Sequence, residues 1–216
     1  MGVYEKVRRA QAMAKRQQVI GTRWIDINKG DAIHPDYRSR LVAKQFKNRL
    51  EGSVEQMFAA TPPTEILRVL LSRATSGVGR YNNNKKCIMS NDVKRAYFYA
   101  PVRSDIYVEI PEEDKSDEDK GKDLVGRLRL SMYGTREAAA AWQDKIREVM
   151  TSNDFQPSLT NPCLYVHRTR QIETMVHGDN FVSVADERDL TWLKSRFEKE
   201  FEIRSTMIGW KLGMEK

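Results

Sequence analysis

Two aspartates, Asp92 and Asp179, are the residues of this chain whose types and settings best fit metal chemistry. Asp92 ends the segment Cys-Ile-Met-Ser-Asn-Asp, which is typical of a short β-strand. Asp179 follows Gly178 between two apolar runs, and glycine supplies the positive φ that a two-residue hairpin turn needs. If the two strands are sheet neighbours, their carboxylates can hold two Mg²⁺ ions about 3.5–4 Å apart, as in-line displacement at phosphorus requires. An ordinary hairpin remains the alternative, because Asp and Gly are common turn residues.

The segments that must position these acids are predicted from hydrophobic periodicity. Strands are predicted before Asp92, on both sides of Gly178, and at residues 22–31, 37–46, 106–110, 124–130, 163–167 and 210–214. Helices are predicted over 3–20, after Pro63, through Trp142 to Met150 and after an N-cap at Asp186, with a loop at 77–86. In the helix after Pro63, four residues at helical spacing are predicted core residues: Ile66, Val69, Leu70 and Ala74.

The order of these elements predicts the fold class. Strands and helices interleave without the βαβ rhythm of a doubly wound sheet, so we expect an α+β fold. The expected arrangement is an antiparallel sheet backed by helices on one face, with both acids on the open face.

A row of cations, Arg38, Arg40 and Lys44, lies in the second strand of the predicted hairpin at 22–46. Spacings of two and four residues place them on one strand face, from which they can bind a triphosphate or a template backbone. A solvated strand face accounts for the same spacing equally well.

Charge and composition favour a polyanionic partner and a reducing compartment. The net charge is +7, residues 1–50 carry a local net charge of +8, and residues 112–123 carry −4. Such a distribution suits nucleic acid, although a basic surface is also common in soluble proteins. No apolar run or signal segment indicates a membrane, so we expect an intracellular protein, cytoplasmic or nuclear. Cys87 and Cys163 lie among apolar residues and are predicted to be buried thiols without a disulfide.

The ordered motifs of this chain resemble the reverse transcriptase domain of copia-type retrotransposon Pol polyproteins. The resemblance runs from about residue 21 to the end, and the order and spacing of the blocks are more specific than any single block. The matching blocks are Arg23-Trp24, Tyr37 to Lys44, Asn91 to Tyr97, Leu130 to Arg136, Trp142, Asn161 to Tyr165, the hairpin around Asp179, and Lys211 to Met214.

The resemblance implies a right-hand polymerase with fingers and palm. The expected boundaries are a basic lead-in helix at 1–20, fingers at 21–85 and a palm at 86–216 with an antiparallel sheet, whereas the thumb is expected to be absent or truncated because little follows Met214. The implied partners are an RNA or DNA template with its primer and deoxynucleoside triphosphates. The oligomeric state is not predicted.

The resemblance also implies roles for individual residues. Asp92 and Asp179 would bind two Mg²⁺ ions, which would activate the primer 3′-hydroxyl and stabilise the pyrophosphate leaving group. The implied nucleotide-binding residues, in the fingers strand and in the block after residue 130, are Arg38, Arg40, Lys44, Tyr133, Gly134, Arg136 and Glu137. Tyr97 matches an aromatic gate that excludes a 2′-hydroxyl, although core packing explains its type as well.

The sequence departs from the family pattern at the hairpin tip and in the block after residue 130. Asn180 stands where the family has a second Asp, which removes one charge and keeps one carbonyl oxygen as a ligand. We therefore expect a higher metal requirement, with Mn²⁺ as an alternative ion. His177 replaces a tyrosine, and Glu137 stands where a glutamine is common, which places a negative charge near the nucleotide phosphates.

These departures leave three functional hypotheses open. The first is an RNA-directed DNA polymerase domain, a fragment of impaired activity. The second is a catalytically inactive remnant that still binds nucleic acid. The third is a palm-fold nucleotidyl cyclase, which uses the same paired carboxylates without a duplex.

Overall fold

A computed structural model describes residues 2–46, 59–76 and 86–209. The predicted loop falls largely on 77–85, and the predicted terminal strand and the motif at 211–214 fall after 209, so these lie outside the described residues. The chain divides into two compact units, one of Met1–Phe58 with Tyr97–Trp142 and one of Ala59–Ala96 with Gln143–Lys216. This division does not follow the expected boundaries at 20 and 85, and the assignment of fingers and palm stays a prediction.

The described residues form an α+β structure of twelve strands and four α-helices. In chain order the strands are β1 (Tyr4–Arg8), β2 (Val19–Ile20), β3 (Thr22–Asn28), β4 (Tyr37–Ala43), β5 (Cys87–Val93), β6 (Tyr107–Val108), β7 (Leu124–Leu128), β8 (Gln156–Pro157), β9 (Leu164–His167), β10 (Ile172–His177), β11 (Asn180–Ala185) and β12 (Ile203–Ile208). The helices are α1 (Arg9–Ala14), α2 (Thr64–Ser76), α3 (Ala138–Ser152) and α4 (Glu187–Glu200). None of these helices combines the length and the hydropathy that a membrane-spanning helix needs.

The second unit is built on a six-stranded sheet that contains both predicted acids. Its order is β12-β5-β11-β10-β9-β8, and every neighbouring pair is antiparallel. Alternation along β5 places Ser90 and Asp92 on one face and Met89, Asn91 and Val93 on the other. The antiparallel sheet expected from the sequence is therefore present.

Helices cover both faces of this sheet, so the prediction that they cover one face only was wrong. On one face, the ring of Phe197 in α4 lies 5.0 Å from the ring of Phe181 in β11. On the face that carries Asp92, α2 buries Leu70 and Ala74 against strand residues that include Met175 and Val184. These apolar residues on the Asp92 face need burial too, and α2 supplies it.

Helix α2 follows the predicted position but not the whole predicted core. Leu70 and Ala74 are buried, and Ile66 packs beside them, as helical spacing predicted. Val69 is 54% exposed, so its assignment to the core was wrong. One helix face is enough to cover the sheet, and Val69 lies off that face.

The first unit contains a four-stranded sheet and a separate hairpin. The sheet order is β1-β7-β6-β2, with β2 and β6 parallel and the other pairs antiparallel, and β3 pairs with β4 as predicted. The core of this unit includes Ile106, Val108 and Leu128, which come from the predicted alternating segments.

The expected lead-in helix was wrong for the residues before Arg9. Tyr4–Arg8 form strand β1, paired with β7, and only Arg9–Ala14 are helical. Glu5 lies directly opposite Arg127, and the Tyr4 ring lies over Gly126, where an added Cβ would come within 2.9 Å of it. These partners lie more than a hundred positions away in the sequence, so local propensity could not reveal the strand.

Candidate active site

Sheet register brings Asp92 and the hairpin tip together. Asn180, the first residue of β11, lies directly opposite Asp92 on β5, and Gly178 and Asp179 form the two-residue turn between β10 and β11. The backbone N–H of Val93 donates to the carbonyl oxygen of Asp179 at 2.9 Å. The convergence predicted from the sequence is therefore present in the backbone of this unit.

The turn at Gly178 has the expected conformation. The φ of Gly178 is +61°, in the left-handed region that glycine adopts without steric cost. His177 and Asn180 close the hairpin as opposite residues. Asp179 is thereby held between a glycine and the first paired residue of β11.

The acids at this end of the sheet are accessible. Asp92 and Asn180 are exposed, and Asp179 is half-buried. The side-chain amide of Asn180 donates to Oδ1 of Asp179 at 3.0 Å, while the carboxylate of Asp92 has no hydrogen bond or ion pair with any described residue. The pair is therefore neither buried under packed side chains nor neutralised by a described cation.

The oxygen donors here suit a hard cation, and they are few. Two carboxylates and one amide carbonyl are ligands of the kind that Mg²⁺ and Mn²⁺ prefer. Within the described ranges, no group of three or more His, Cys, Asp and Glu side chains is arranged to hold a metal. A cation bound at Asp92 and Asp179 would thus need further oxygen ligands from water or from substrate phosphates.

Arg204 is a candidate functional residue that the sequence reasoning missed. It lies directly opposite Asp92 on β12, shares the face of Asp92, and is exposed. Its only signal in the sequence is a single arginine in a short alternating segment, which is too common to single out. Register alone makes it a neighbour of Asp92.

A second group of predicted residues gathers in the first unit around Tyr133. The guanidinium of Arg40 lies 5.6 Å from the centre of the Tyr133 ring, and the Tyr97 ring lies 4.6 Å from it. The Phe98 ring contacts Tyr133 edge-on at 5.8 Å. Arg40, Tyr97 and Tyr133 therefore form one cluster, although ring packing of this kind also occurs in ordinary cores.

The other predicted cations of the hairpin differ in their settings. Arg38 shares the face of Arg40 on β4 and pairs with Asp36 at 3.2 Å. Lys44 follows the end of β4, so the strand argument that placed it on the same face does not apply to it. Both residues are exposed.

The turn that contains Gly134 docks on the end of β4. The N–H of Ala43 donates to the carbonyl of Tyr133 at 2.7 Å, and the N–H of Arg136 donates to Oε1 of Gln45 at 2.8 Å. Gly134 has a φ of +83°, and a Cβ there would lie 2.0 Å from the carbonyl oxygen of Ala43. Only glycine fits this close backbone approach.

Glu137 makes its described contacts with the backbone and side chains of a neighbouring loop. Its carboxylate accepts hydrogen bonds from the N–H of Arg103 at 2.6 Å and from the hydroxyl of Ser104 at 2.7 Å. These hydrogen bonds direct the Glu137 carboxylate towards the loop at Arg103 and Ser104. Contact of Glu137 with a nucleotide stays a prediction.

The buried thiols are as predicted. Cys87 and Cys163 are both buried and form no disulfide, and burial raises the pKa of the Cys163 thiol. The Cys163 thiol therefore stays protonated near neutral pH and offers no thiolate for nucleophilic chemistry.

Comparison with known proteins places these residues in a family context. The model of a family described as reverse transcriptase (RNA-dependent DNA polymerase) matches residues 5–215. The retrovirus-related Pol polyprotein from transposon TNT 1-94 of Nicotiana tabacum is 27% identical over 180 residues, 81% of this chain and 13% of the relative. Those from transposons RE2 and RE1 of Arabidopsis thaliana are 27% and 26% identical over 88% and 68% of this chain. The chain spans 10–13% of the length of these relatives.

Solved structures show a looser likeness. Telomerase from Candida albicans, in complex with a TWJ fragment of telomeric RNA, aligns with a TM-score of 0.47 at 10% identity, over 95% of this chain and 43% of that chain. Apo telomerase from Candida tropicalis, truncated from the C-terminal domain, gives the same two values over 96% and 55%.

Proposed function

This chain belongs to the reverse transcriptase (RNA-dependent DNA polymerase) family, of the copia type that its motifs predicted, and we propose that it adds deoxynucleotides to a primer by two-metal nucleotidyl transfer. The proposed template is RNA or DNA. The observation that carries the proposal is the register of β5 and β11. It places Asn180 opposite Asp92, and the N–H of Val93 donates to the carbonyl oxygen of Asp179.

The metal part of the proposal rests on donor chemistry. Asp92 and Asp179 offer accessible carboxylates, and Asn180 offers one carbonyl oxygen, which together fit two Mg²⁺ or Mn²⁺ ions once phosphate and water oxygens are added. When bound, such ions supply Lewis-acid activation of the primer hydroxyl and neutralise charge on the leaving pyrophosphate. The task of Asp92 and Asp179 is to hold those charges in place beside the primer end.

Other residues are proposed to bind the substrates. Arg40 with Tyr133, and the exposed Arg38, are proposed to contact nucleotide phosphates or the template, because one guanidinium can bind two phosphate oxygens. The exposed Lys44 is proposed to contact the same phosphates through the charge of its ammonium group. Tyr97, packed on Tyr133, is proposed as the gate that excludes a 2′-hydroxyl. Arg204 is proposed to bind a phosphate beside Asp92.

A second function, an inactive nucleic-acid-binding remnant, is favoured by Asn180. One carboxylate fewer leaves more of the positive charge of two dications uncompensated, which raises the concentration of metal needed for binding. In that case the chain would bind primer–template without extending it, and Asp92→Ala would leave binding unchanged or strengthen it by removing a negative charge.

The experiment that separates these functions is primer extension on an RNA template, in Mg²⁺ and then in Mn²⁺. The natural chain is compared with Asn180→Asp, Asp92→Ala and, as a control, Glu198→Ala on the exposed side of α4. We expect Asn180→Asp to increase extension in Mg²⁺ by about tenfold, equivalent to about 1.4 kcal/mol, because it adds one metal-binding charge.

The variants then discriminate. Asp92→Ala is expected to reduce extension at least about a hundredfold, whereas Glu198→Ala should leave it unchanged. Extension by Asn180→Asp alone would support the remnant. Absence of extension by the folded natural chain and by Asn180→Asp, in both metals, would remove the polymerase proposal.

A further inference from the structure

The turn after Asp92 is held from one side by Glu202, the residue before β12. The carboxylate of Glu202 accepts hydrogen bonds from Nζ of Lys94 at 2.8 Å and from Nη2 of Arg95 at 2.5 Å. The N–H of Lys94 also donates to the carbonyl oxygen of Glu202 at 2.9 Å. One residue thus binds the turn through its backbone and through both carboxylate oxygens.

This turn needs such support because of its conformation and its charge. Arg95 has a φ of +57°, in the left-handed region that residues with a Cβ rarely adopt. Lys94 and Arg95 are adjacent cations that repel one another, and the Glu202 carboxylate lies between them as the shared partner. Its hydrogen bonds to Lys94 and then to Arg95 lower the pKa of Glu202, so the clamp is charged at neutral pH.

On its other side, the same turn is bonded to the hairpin tip. The N–H of Val93 donates to the carbonyl oxygen of Asp179, and the next N–H, of Lys94, donates to Glu202. The backbone that follows Asp92 is therefore fixed between Asp179 and Glu202. Loss of either bond would let the end of β5 move relative to the tip.

A partly buried side-chain hydrogen bond supports the register of β12, the strand that begins directly after Glu202. Ser205 on β12 donates to Oδ1 of Asn91 on β5 at 2.7 Å, and Asn91 is fully buried. Strand β12 lies at the edge of the sheet, and among the described residues β5 is the only strand that pairs with it. A slip of β12 by one residue would turn Ser205 to the face of Asp92 and Arg204 to the opposite face, and it would shift Glu202 relative to Lys94 and Arg95.

We propose that Glu202 is a positioning residue: by clamping Lys94 and Arg95 it fixes the turn after Asp92 and so sets the Asp92 carboxylate relative to Asp179. The clamp itself follows from the contacts above, whereas its value for metal binding rests on the proposed function. Glu202 acts through the turn and does not touch metal or substrate.

Two measurements on the full chain test this role. The first is amide hydrogen exchange at Val93 and Lys94, which reports the order of the turn without any metal. The second is the affinity for Mn²⁺, measured by electron paramagnetic resonance of the free ion. The variants are Glu202→Ala, Glu202→Gln, which keeps one acceptor oxygen, and Glu198→Gln, a matched change in an exposed glutamate of α4.

We expect Glu202→Ala to increase exchange at both amides by about tenfold and to weaken Mn²⁺ binding by about fivefold, because the turn loses its carboxylate. Glu202→Gln should show smaller changes in the same direction, and Glu198→Gln should show none. The thermal unfolding midpoints of the three variants should stay close to that of the natural chain, since the clamp is on the surface.

The outcomes keep the two proposals apart. Unchanged amide exchange at Val93 and Lys94 in Glu202→Ala would show that Glu202 does not fix the turn, irrespective of the affinity for Mn²⁺. Faster exchange with unchanged Mn²⁺ affinity would overturn its role in setting Asp92. If the natural chain binds no Mn²⁺, or if Asp92→Ala leaves its affinity unchanged, the proposed function fails, and Glu202 is then not a positioning residue for that reaction.

Discussion

Asn180 changes the charge at the tip of the β10–β11 hairpin while leaving an oxygen donor in place. With aspartate there, three carboxylates would oppose two dications, whereas the natural chain provides two from Asp92 and Asp179. In the proposed two-metal site, substrate phosphates would have to supply the missing negative charge, because water ligands carry none. The affinity for metal should therefore depend more strongly on bound nucleotide here than in a chain with three acids.

Arg204 offers a cation at the same end of the sheet, and its removal gives a specific prediction. Because Arg204 is exposed and lies opposite Asp92, we expect Arg204→Ala to weaken primer–template binding and to make the slope of log affinity against log salt less negative by about 1. The measurement is fluorescence anisotropy of a labelled primer–template at several salt concentrations.

The matched control for this change is Arg168→Ala. Arg168 is also exposed, but it lies in the β9–β10 turn, at the opposite end of the strands from Asp179. Its removal should leave the slope unchanged. Equal effects of the two substitutions would contradict a local role for Arg204.

The turn at Gly134 connects β4 to the cluster around Tyr133, and glycine is required there by space as well as by φ. We expect Gly134→Ala to lower the free energy of unfolding by at least about 2 kcal/mol, because a Cβ would clash with the carbonyl oxygen of Ala43 and the φ is positive. Urea unfolding followed by circular dichroism measures the change.

Gly121 provides the comparison for this prediction. It has a similar φ of +77°, but no atom lies within 4 Å of the position of an added Cβ. Gly121→Ala should therefore cost about 1 kcal/mol, from backbone conformation alone. A cost at Gly134 no larger than that at Gly121 would show that the turn can move away from β4.

Strand β9 packs on α4 through His167, and this contact predicts a dependence of stability on pH. The His167 ring lies 5.1 Å from the Phe155 ring and 5.3 Å from the Trp192 ring, and burial lowers its pKa from the ordinary value of 6.5. The unfolded chain therefore takes up this proton at a higher pH than the folded chain does. The free energy of unfolding should decrease as the pH falls from about 6.5 towards the lowered pKa, below which no further loss from this group occurs.

His167→Phe isolates that contribution. Phenylalanine can fill the space between the two rings and cannot bind a proton, so its urea unfolding should lose less stability between pH 7.5 and 5.5 than the natural chain loses. The other groups that titrate are common to both chains. Equal losses of stability in the two chains would mean that the pKa of His167 is the same in the folded and the unfolded chain.

Charge is distributed across the chain so that much of the acidic segment at 112–123 is already paired. Tyr4 and Lys6 on β1 bond to Asp114, Lys6 bonds to Asp119 at 2.8 Å, and Arg9 bonds to Asp123 at 2.7 Å. Among the described residues, exposed cations of the β3–β4 hairpin, such as Arg40, form no ion pair with this segment. The paired segment thus leaves other cations available to a polyanion.

For the chain as a whole, the net charge of +7 predicts binding to primer–template that depends steeply on salt. We expect the affinity to fall by about a hundredfold between 50 and 200 mM salt, because each bound phosphate releases a counterion. Anisotropy titrations give the slope, and Asp92→Ala should retain it. A slope shallower than about −1 would contradict nucleic-acid binding through this charge.

The sequence alone determined most local elements and the order of motifs from which the family was assigned. The hairpin around Gly178, the β3–β4 hairpin, helix α2 and the strand before Asp92 all follow from periodicity and turn chemistry, which act within a few residues. The copia-type assignment followed from blocks in a fixed order and was confirmed. The identities of the candidate acids, Asp92 and Asp179, required no coordinates.

Tertiary structure decided what depends on partners distant in the chain. Strand β1 exists because β7 pairs with it, and α2 covers the acid face because apolar strand residues there must be buried. Arg204 and Glu202 become neighbours of Asp92 and its turn only through the β5–β12 register, across more than a hundred residues. The physical reason is that a sheet joins residues by hydrogen bonding between strands, which leaves no periodic signal in either strand alone.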